Sequence, residues 1–282
     1  MATTSSREAF DHSDFAVGLA RGVAGALLFA LPMFLTMEMW ELGFYIDRWR
    51  LLLLLVINIP LLIFLAHRIG FERTTTLSEA IRDASIAYLL GILSSGLILA
   101  AIGVLQSGQG ASETVGMVAL QAVPASIGAL LGRSQLGERS DDKGEGSASE
   151  TKASYGVELF MMAVGALFLG LNVSPTEEMI LLSYKMAAWH ALVLIIASIA
   201  LMHGFVYALS FAGSHELEEG TPTWHALVRF TLPGYVIAFA VSTYCLWTFH
   251  RLDDIAITQA AMTIVVLSFP SAIGAAAARL IL

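Results

Sequence analysis

Two glutamates, Glu38 and Glu178, are the residues of this chain best suited to bind a cation or share a proton. Each stands near the far end of the first long apolar block of its half. Counting back in fours from Glu38 gives Phe34, Ala30, Ala26, Gly22 and Gly18; from Glu178 it gives Ser174, Gly170 and Ala166. Residues four apart share a helix face, and rows of small residues let membrane helices approach closely. The pattern therefore predicts that both carboxylates face other helices rather than lipid. If the two met, one would raise the pKa of the other. A plainer reading has them outside the hydrocarbon, solvated or paired with Arg48 or Arg50.

Other polar residues at membrane depth could line a path between these acids and the opposite side. Asn58 and Ser198 occupy matching positions in the two halves, as do Ser95 and Ser242, and Gln121 joins them. Interhelical hydrogen bonds account for such residues equally well. Pro124 and Pro270 each precede a glycine by four residues inside a late apolar block. Proline removes a helix hydrogen bond, so these positions predict a kink, a gate or a freed carbonyl. Arg82, Arg229, Arg133 and Arg279 form a basic cluster toward the other end, read as charge anchoring or as a vestibule for an anion or lipid headgroup. His67 and His203 have no metal-ligand spacing. The loop clusters His250–Asp254 and His215–Glu219 read as solvated, with weak divalent-cation binding as the sharper alternative. No catalytic residue, cofactor or metal site is expected: the hydrolase, zinc-protease and nucleotide-binding motifs are absent.

These residues have to be positioned by membrane helices. Of the 282 residues, 57% are hydrophobic and only 13% charged, well short of the charged fraction, roughly 25%, of soluble domains. Eight apolar blocks, close to the length that spans a bilayer, cover Phe15–Trp40, Trp49–His67, Glu79–Leu105, Ser112–Gly132, Tyr155–Val173, Lys185–Ala212, Trp224–Phe249 and Ile255–Leu282. Residues 133–154 are polar and rich in Gly and Ser, the composition of a flexible linker. The chain thus divides into a four-helix unit at 15–132, a linker, and a second four-helix unit at 155–282. A net charge of −8 argues against nucleic acid as a partner. The single cysteine, Cys245, excludes an internal disulfide. Residues 1–14 lack the pattern of a cleaved signal peptide.

The two units resemble each other. Gly25-Ala26-Leu27 recurs as Gly165-Ala166-Leu167, Thr36-Met37-Glu38-Met39 as Thr176-Glu177-Glu178-Met179, and Trp49 as Trp189, all 140 residues on. Glu72, Thr74, Thr76, Arg82 and Tyr88 recur as Glu219, Thr221, Thr223, Arg229 and Tyr235, offset by 147. Pro124, Ile127, Gly128, Ala129 and Arg133 recur as Pro270, Ile273, Gly274, Ala275 and Arg279, offset by 146. Such collinear matches point to duplication. An even number of helices per copy makes the repeats parallel, related by an axis along the membrane normal. Eleven of the 15 basic residues fall on the side of the termini and the 133–154 segment, and four on the other. That bias predicts cytoplasmic termini in a multi-pass protein of the inner membrane.

The Thr36-Met-Glu38-Met-Trp40-Glu41-Leu-Gly43 segment, with the Pro124 and Pro270 segments, resembles a bacterial family of integral membrane proteins, domain of unknown function 2391. The resemblance covers nearly the whole chain and implies a polytopic membrane protein without implying a reaction. The expected fold is all-α, with about eight transmembrane helices in two parallel sets of four. The expected function is a transporter or channel for a small cation or proton. The alternatives are a non-transporting scaffold, assembly factor or sensor and, third, a lipid-modifying enzyme. The expected partners are the lipid bilayer, the transported ion and, as an allowed option, a second copy of the chain.

Overall fold

The computed structural model describes residues 12–69, 76–106, 108–136, 155–208 and 227–278. Among them every regular element is helical. In chain order these are α1 (His12–Phe34), α2 (Met37–Tyr45), α3 (Arg48–Ile69), α4 (Leu77–Ala101), α5 (Ala111–Leu136), α6 (Tyr155–Val173), α7 (Glu177–Lys185) and α8 (Ala188–Ala208). A turn of π-helix (Leu227–Thr231) leads into α9 (Leu232–Thr248), and α10 (Ile257–Ala278) follows. Eight of these helices, all but α2 and α7, are long and apolar enough to cross a bilayer, α9 together with its π turn. Their outer faces carry Leu28, Val56, Leu97, Ile196 and Val236 in exposed positions. Exposed aliphatic side chains around the whole belt are what a hydrocarbon solvent requires.

α5 is the central helix of the first half. It packs against α1, α2, α3 and α4, and every residue from Leu120 to Gly132 is buried. α10 holds the matching place in the second half, against α6, α7, α8 and α9. Both central helices touch the first helix of their half at glycine. The Gly25 Cα lies on the Gly128 carbonyl and the Gly132 backbone; Gly165 lies on the Gly274 carbonyl and Ala278. Apart from the Ala278 methyl, these contacts are backbone to backbone, the closest approach two helices can make.

Two sequence expectations need correction here. The block read as Phe15–Trp40 is two helices. α1 stops at Phe34, and the chain turns at Leu35–Thr36 before α2 begins. The turn is closed by the Thr36 hydroxyl donating to the Pro32 carbonyl (2.5 Å) and the Trp40 indole donating to the Phe34 carbonyl (2.8 Å). The same break separates α6 from α7, where the Thr176 hydroxyl donates to the Val173 carbonyl and the Arg251 guanidinium to the Pro175 carbonyl. The linker also starts later than expected, because α5 continues to Leu136; residues 137–154 lie outside the described residues.

The start of α4 was legible locally. Thr76 and Glu79 form a capping box, with the Thr76 hydroxyl accepting from the Glu79 amide and the Glu79 carboxylate from the Thr76 amide.

Candidate functional site

Of the polar residues expected to line a path, Gln121 lies on α5 and Asn58 meets that helix. The Asn58 amide on α3 donates to the Ser126 hydroxyl (3.0 Å), which donates to the Val123 carbonyl (2.7 Å). The Tyr88 hydroxyl on α4 approaches the same amide. Gly91 lets α4 reach α5 here, since a Cβ at this position would lie 2.7 Å from the Ala122 carbonyl oxygen. Ser95 follows Gly91 by one turn on the same face of α4.

Gln121 and Ser95 are both fully buried. Neither Gln121 Nε2 nor Oε1 has a hydrogen-bond partner among the described residues; the same holds for Ser95 Oγ and Asn58 Oδ1. A buried polar group left unmatched costs about 1–3 kcal/mol, so four such atoms in one bundle core are a large local departure from a packed interior. Pro124 adds to it by lacking the N–H that the Leu120 carbonyl would otherwise meet.

The second half places its expected residues differently. The Ser242 hydroxyl donates to the Ala238 carbonyl and lies 2.9 Å from Ser271 Oγ, and Ser198 donates to the Leu194 carbonyl. Pro270 sits inside α10 as expected. The unmatched atoms of this half are Asn172 Oδ1 and Ser174 Oγ at the α6–α7 turn, the Tyr235 and Tyr244 hydroxyls on α9, and Arg251 Nε. His203 meets Thr231 Oγ1 at 3.1 Å on the π turn, an interhelical contact.

Glu38 and Glu178 are in the first turns of α2 and α7. The small-residue rows behind them are buried as read: Ala26, Ala30 and Phe34 are sealed from solvent, and Ala166, Gly170 and Ser174 are buried. The rows do not extend to the glutamates, because the helix break turns each short helix onto a new path. Glu38 is half-buried and Glu178 exposed. The short helices lie on the central ones. Gly43 abuts Met117 and Gly116 on α5. Ser183 of α7 receives hydrogen bonds from Gln259 (2.6 Å) and Thr263 (2.9 Å) at the start of α10.

At the same end of the bundle a polar seam ties the halves together, where the sequence suggested a solvated loop. Arg50 at the start of α3 pairs with Asp253 (2.9 Å), donates to the Trp247 carbonyl and lies over the Trp247 ring. His250 Nδ1 meets Asp253 (2.7 Å), and its Nε2 accepts from the Asp47 backbone N–H (3.1 Å). His250 reaches this position with φ at 61°. Burial alone would raise the Asp253 carboxyl, but the hydrogen bonds from Arg50 and His250 and the charge of Arg50 outweigh it and hold the group below its ordinary range. A lowered folded-state pKa contributes stability that is complete above about pH 4 and lost as pH falls through the folded value. Thermal midpoints in detergent should therefore drop below about pH 4, and Asp253→Asn should flatten that part of the profile. At neutral pH the substitution should cost no more than about 1 kcal/mol, because the pair is partly exposed. An unchanged acid limb in Asp253→Asn would remove this seam from the pH response.

Eight helices long and apolar enough to cross a bilayer, with aliphatic side chains exposed on their outer faces, describe an integral membrane protein, and the family comparison agrees. A family model described as "Putative integral membrane protein (DUF2391)" matches residues 18–282. The chain belongs to that family. Among curated proteins and among solved structures, nothing matches it. As a family member it is a multi-pass integral membrane protein.

The basic cluster divides. Arg82 pairs with its neighbour Asp83 (3.3 Å). Arg229 lies over the rings of Tyr155 and Phe230, and its carbonyl accepts from the Tyr155 hydroxyl (2.8 Å). The Arg133 side chain, Arg279 and the His215–Glu219 cluster lie outside the described residues. Two buried carboxylates were not singled out as sites from the sequence, Asp83 in the second turn of α4 and Glu158 in the first turn of α6. Their signal was an acid one turn inside an apolar block, which is costly unless it faces protein. Ser126 was also missed; its cue was its place two residues after Pro124.

Proposed function

We infer that the protein is a transporter or channel for a small cation or proton, with its polar core in the first four-helix unit. One observation carries the reading: Gln121, Ser95 and Asn58 hold unmatched polar atoms inside a membrane bundle, with Pro124 within the same continuous central helix as Gln121. Amide, hydroxyl and freed carbonyl oxygens are the neutral ligands that replace a cation's water shell at membrane depth. Ionisable and polar groups facing a bundle interior mark ion paths by default. Glu38 and Glu178, at the end of the bundle that carries the seam, would concentrate cations at the entrance. Pro124 and Pro270 would let the central helices bend, with Ser198 and Ser242 on the second unit's side.

Parallel duplication is part of this proposal. In its support, α2 and α7 have nine residues each and start 140 residues apart, the offset of Glu38 from Glu178. The paired glycine contacts of α1 on α5 and α6 on α10 fall at the repeat offsets as well. Cytoplasmic termini and an inner-membrane location remain the reading of the arginine and lysine bias.

The test is cation and proton flux into liposomes containing the wild type or the Glu38→Gln/Glu178→Gln variant. The expected outcome is flux in the wild type, reduced about tenfold in the variant, equivalent to about 1.4 kcal/mol of lost stabilisation. Equal flux would take the glutamates out of the path, and wild-type flux no higher than in empty liposomes would end the transport reading. The glycine-tight contacts of the central helices favour a second reading, a rigid scaffold, and that last outcome would leave it standing.

A further inference from the structure

The outer face of α3 is flanked by two apolar grooves. One, about 600 Å³, lies between α3 and α9, lined by Leu53, Val56, Trp49, Trp247, Asp47 and Arg50. The other, about 510 Å³, lies between α3 and α4, along Ile59, Ile63, Ile81, Tyr88 and Ile92. Leu52 and Val56 line both, so α3 is a ridge with a trough on each side. Each is within the range of small-molecule sites, about 300–1,000 Å³. Both open from helices that cross the bilayer, and the medium there is lipid.

In the α3–α9 groove the charged groups are confined to one end. Asp47, Arg50 and two tryptophans meet at the mouth of the α3–α9 groove, and below them the lining is aliphatic. Tryptophans at this level mark the headgroup boundary. The mouth offers one cation and one anion side by side: Arg50, already partly neutralised by Asp253, and exposed Asp47.

We propose that this face of α3 is a binding site for a diacyl phospholipid with an ethanolamine headgroup, whose two chains straddle the Leu52–Val56 ridge. The phosphate is held at Arg50 and the primary ammonium at Asp47. A choline headgroup cannot donate a hydrogen bond to Asp47, and a glycerol headgroup has no cation to offer it. The deep end of the α3–α4 groove is walled by Tyr88, so a bound chain packs one side chain away from Asn58 and the polar core. The site is independent of the ion reading.

Tryptophans at the mouth make the test direct. The full-length protein is placed in phosphatidylcholine vesicles containing increasing fractions of brominated phosphatidylethanolamine, phosphatidylglycerol or phosphatidylcholine with the same chains, and tryptophan quenching gives relative affinities. The ethanolamine lipid should be preferred over the other two by about threefold, the scale of one exposed ion pair. Asp47→Asn, which keeps a residue able to cap α3, should abolish that preference. Val56→Phe, on a lipid-facing position, should weaken quenching by all three lipids. Equal quenching by all three lipids in the wild type means annular contact only and overturns the site. So does preference for the glycerol lipid, or an ethanolamine preference unchanged in both variants.

Discussion

Gly25→Ala will strongly destabilise the fold, whereas Gly96→Ala on α4 will leave it intact. A Cβ at Gly25 would stand 2.4 Å from the Gly128 carbonyl oxygen and 2.6 Å from the Gly132 Cα. Both obstacles are backbone, so no side chain can rotate out of the way. The helices α1 and α5 must separate instead, stripping contacts along a helix whose residues from Leu120 to Gly132 are all buried. Overpacking costs about 1–3 kcal/mol where side chains can adjust. A backbone clash belongs at or above the top of that range, enough to consume much of a marginal stability of about 5–15 kcal/mol. Gly165→Ala meets the Gly274 carbonyl in the same way and should do the same to the second half. At Gly96 nothing lies within 4 Å of the added methyl, and alanine is the better helix former. Thermal unfolding in detergent, read by size-exclusion recovery, separates the cases. A Gly25→Ala protein as stable as Gly96→Ala would show that α1 and α5 are not in backbone contact.

Gln121→Leu will raise stability and remove flux together. Leucine is close in size to glutamine and carries no polar atoms, so the cost of the unmatched Nε2 and Oε1 disappears. The expected gain is about 1–3 kcal/mol. If those same atoms serve a passing cation, flux into liposomes should fall by about tenfold or more, corresponding to about 1.4 kcal/mol or more. Opposite signs in the two measurements are the signature of a group kept for function at the expense of packing. A loss of stability would mean that Gln121 is matched in the membrane and structural. A gain of stability with unchanged flux would move the path elsewhere.

Residue type and order alone determined the eight spans, because a bilayer demands about 20 apolar residues per crossing and tolerates few charges between. They also determined which row of α1 is buried, because small residues four apart leave no other way to fill a helix interface: Ala26 and Ala30 are sealed. The position of Glu38 was not legible. Apolar composition continues through Leu35 and Met37, so no local signal stops α1 at Phe34. The stop is made by the Trp40 indole reaching back to the Phe34 carbonyl and by the seat that Gly43 finds on Met117 of α5, a contact 74 residues away. The seam was hidden for the same reason: Arg50 and Asp253 are 203 residues apart, and nothing near either names the other. Hydrophobic length is a one-dimensional quantity and can be read along the chain. Which carboxylate meets which cation, and where a polar core goes unmatched, depend on how the helices come together in three dimensions.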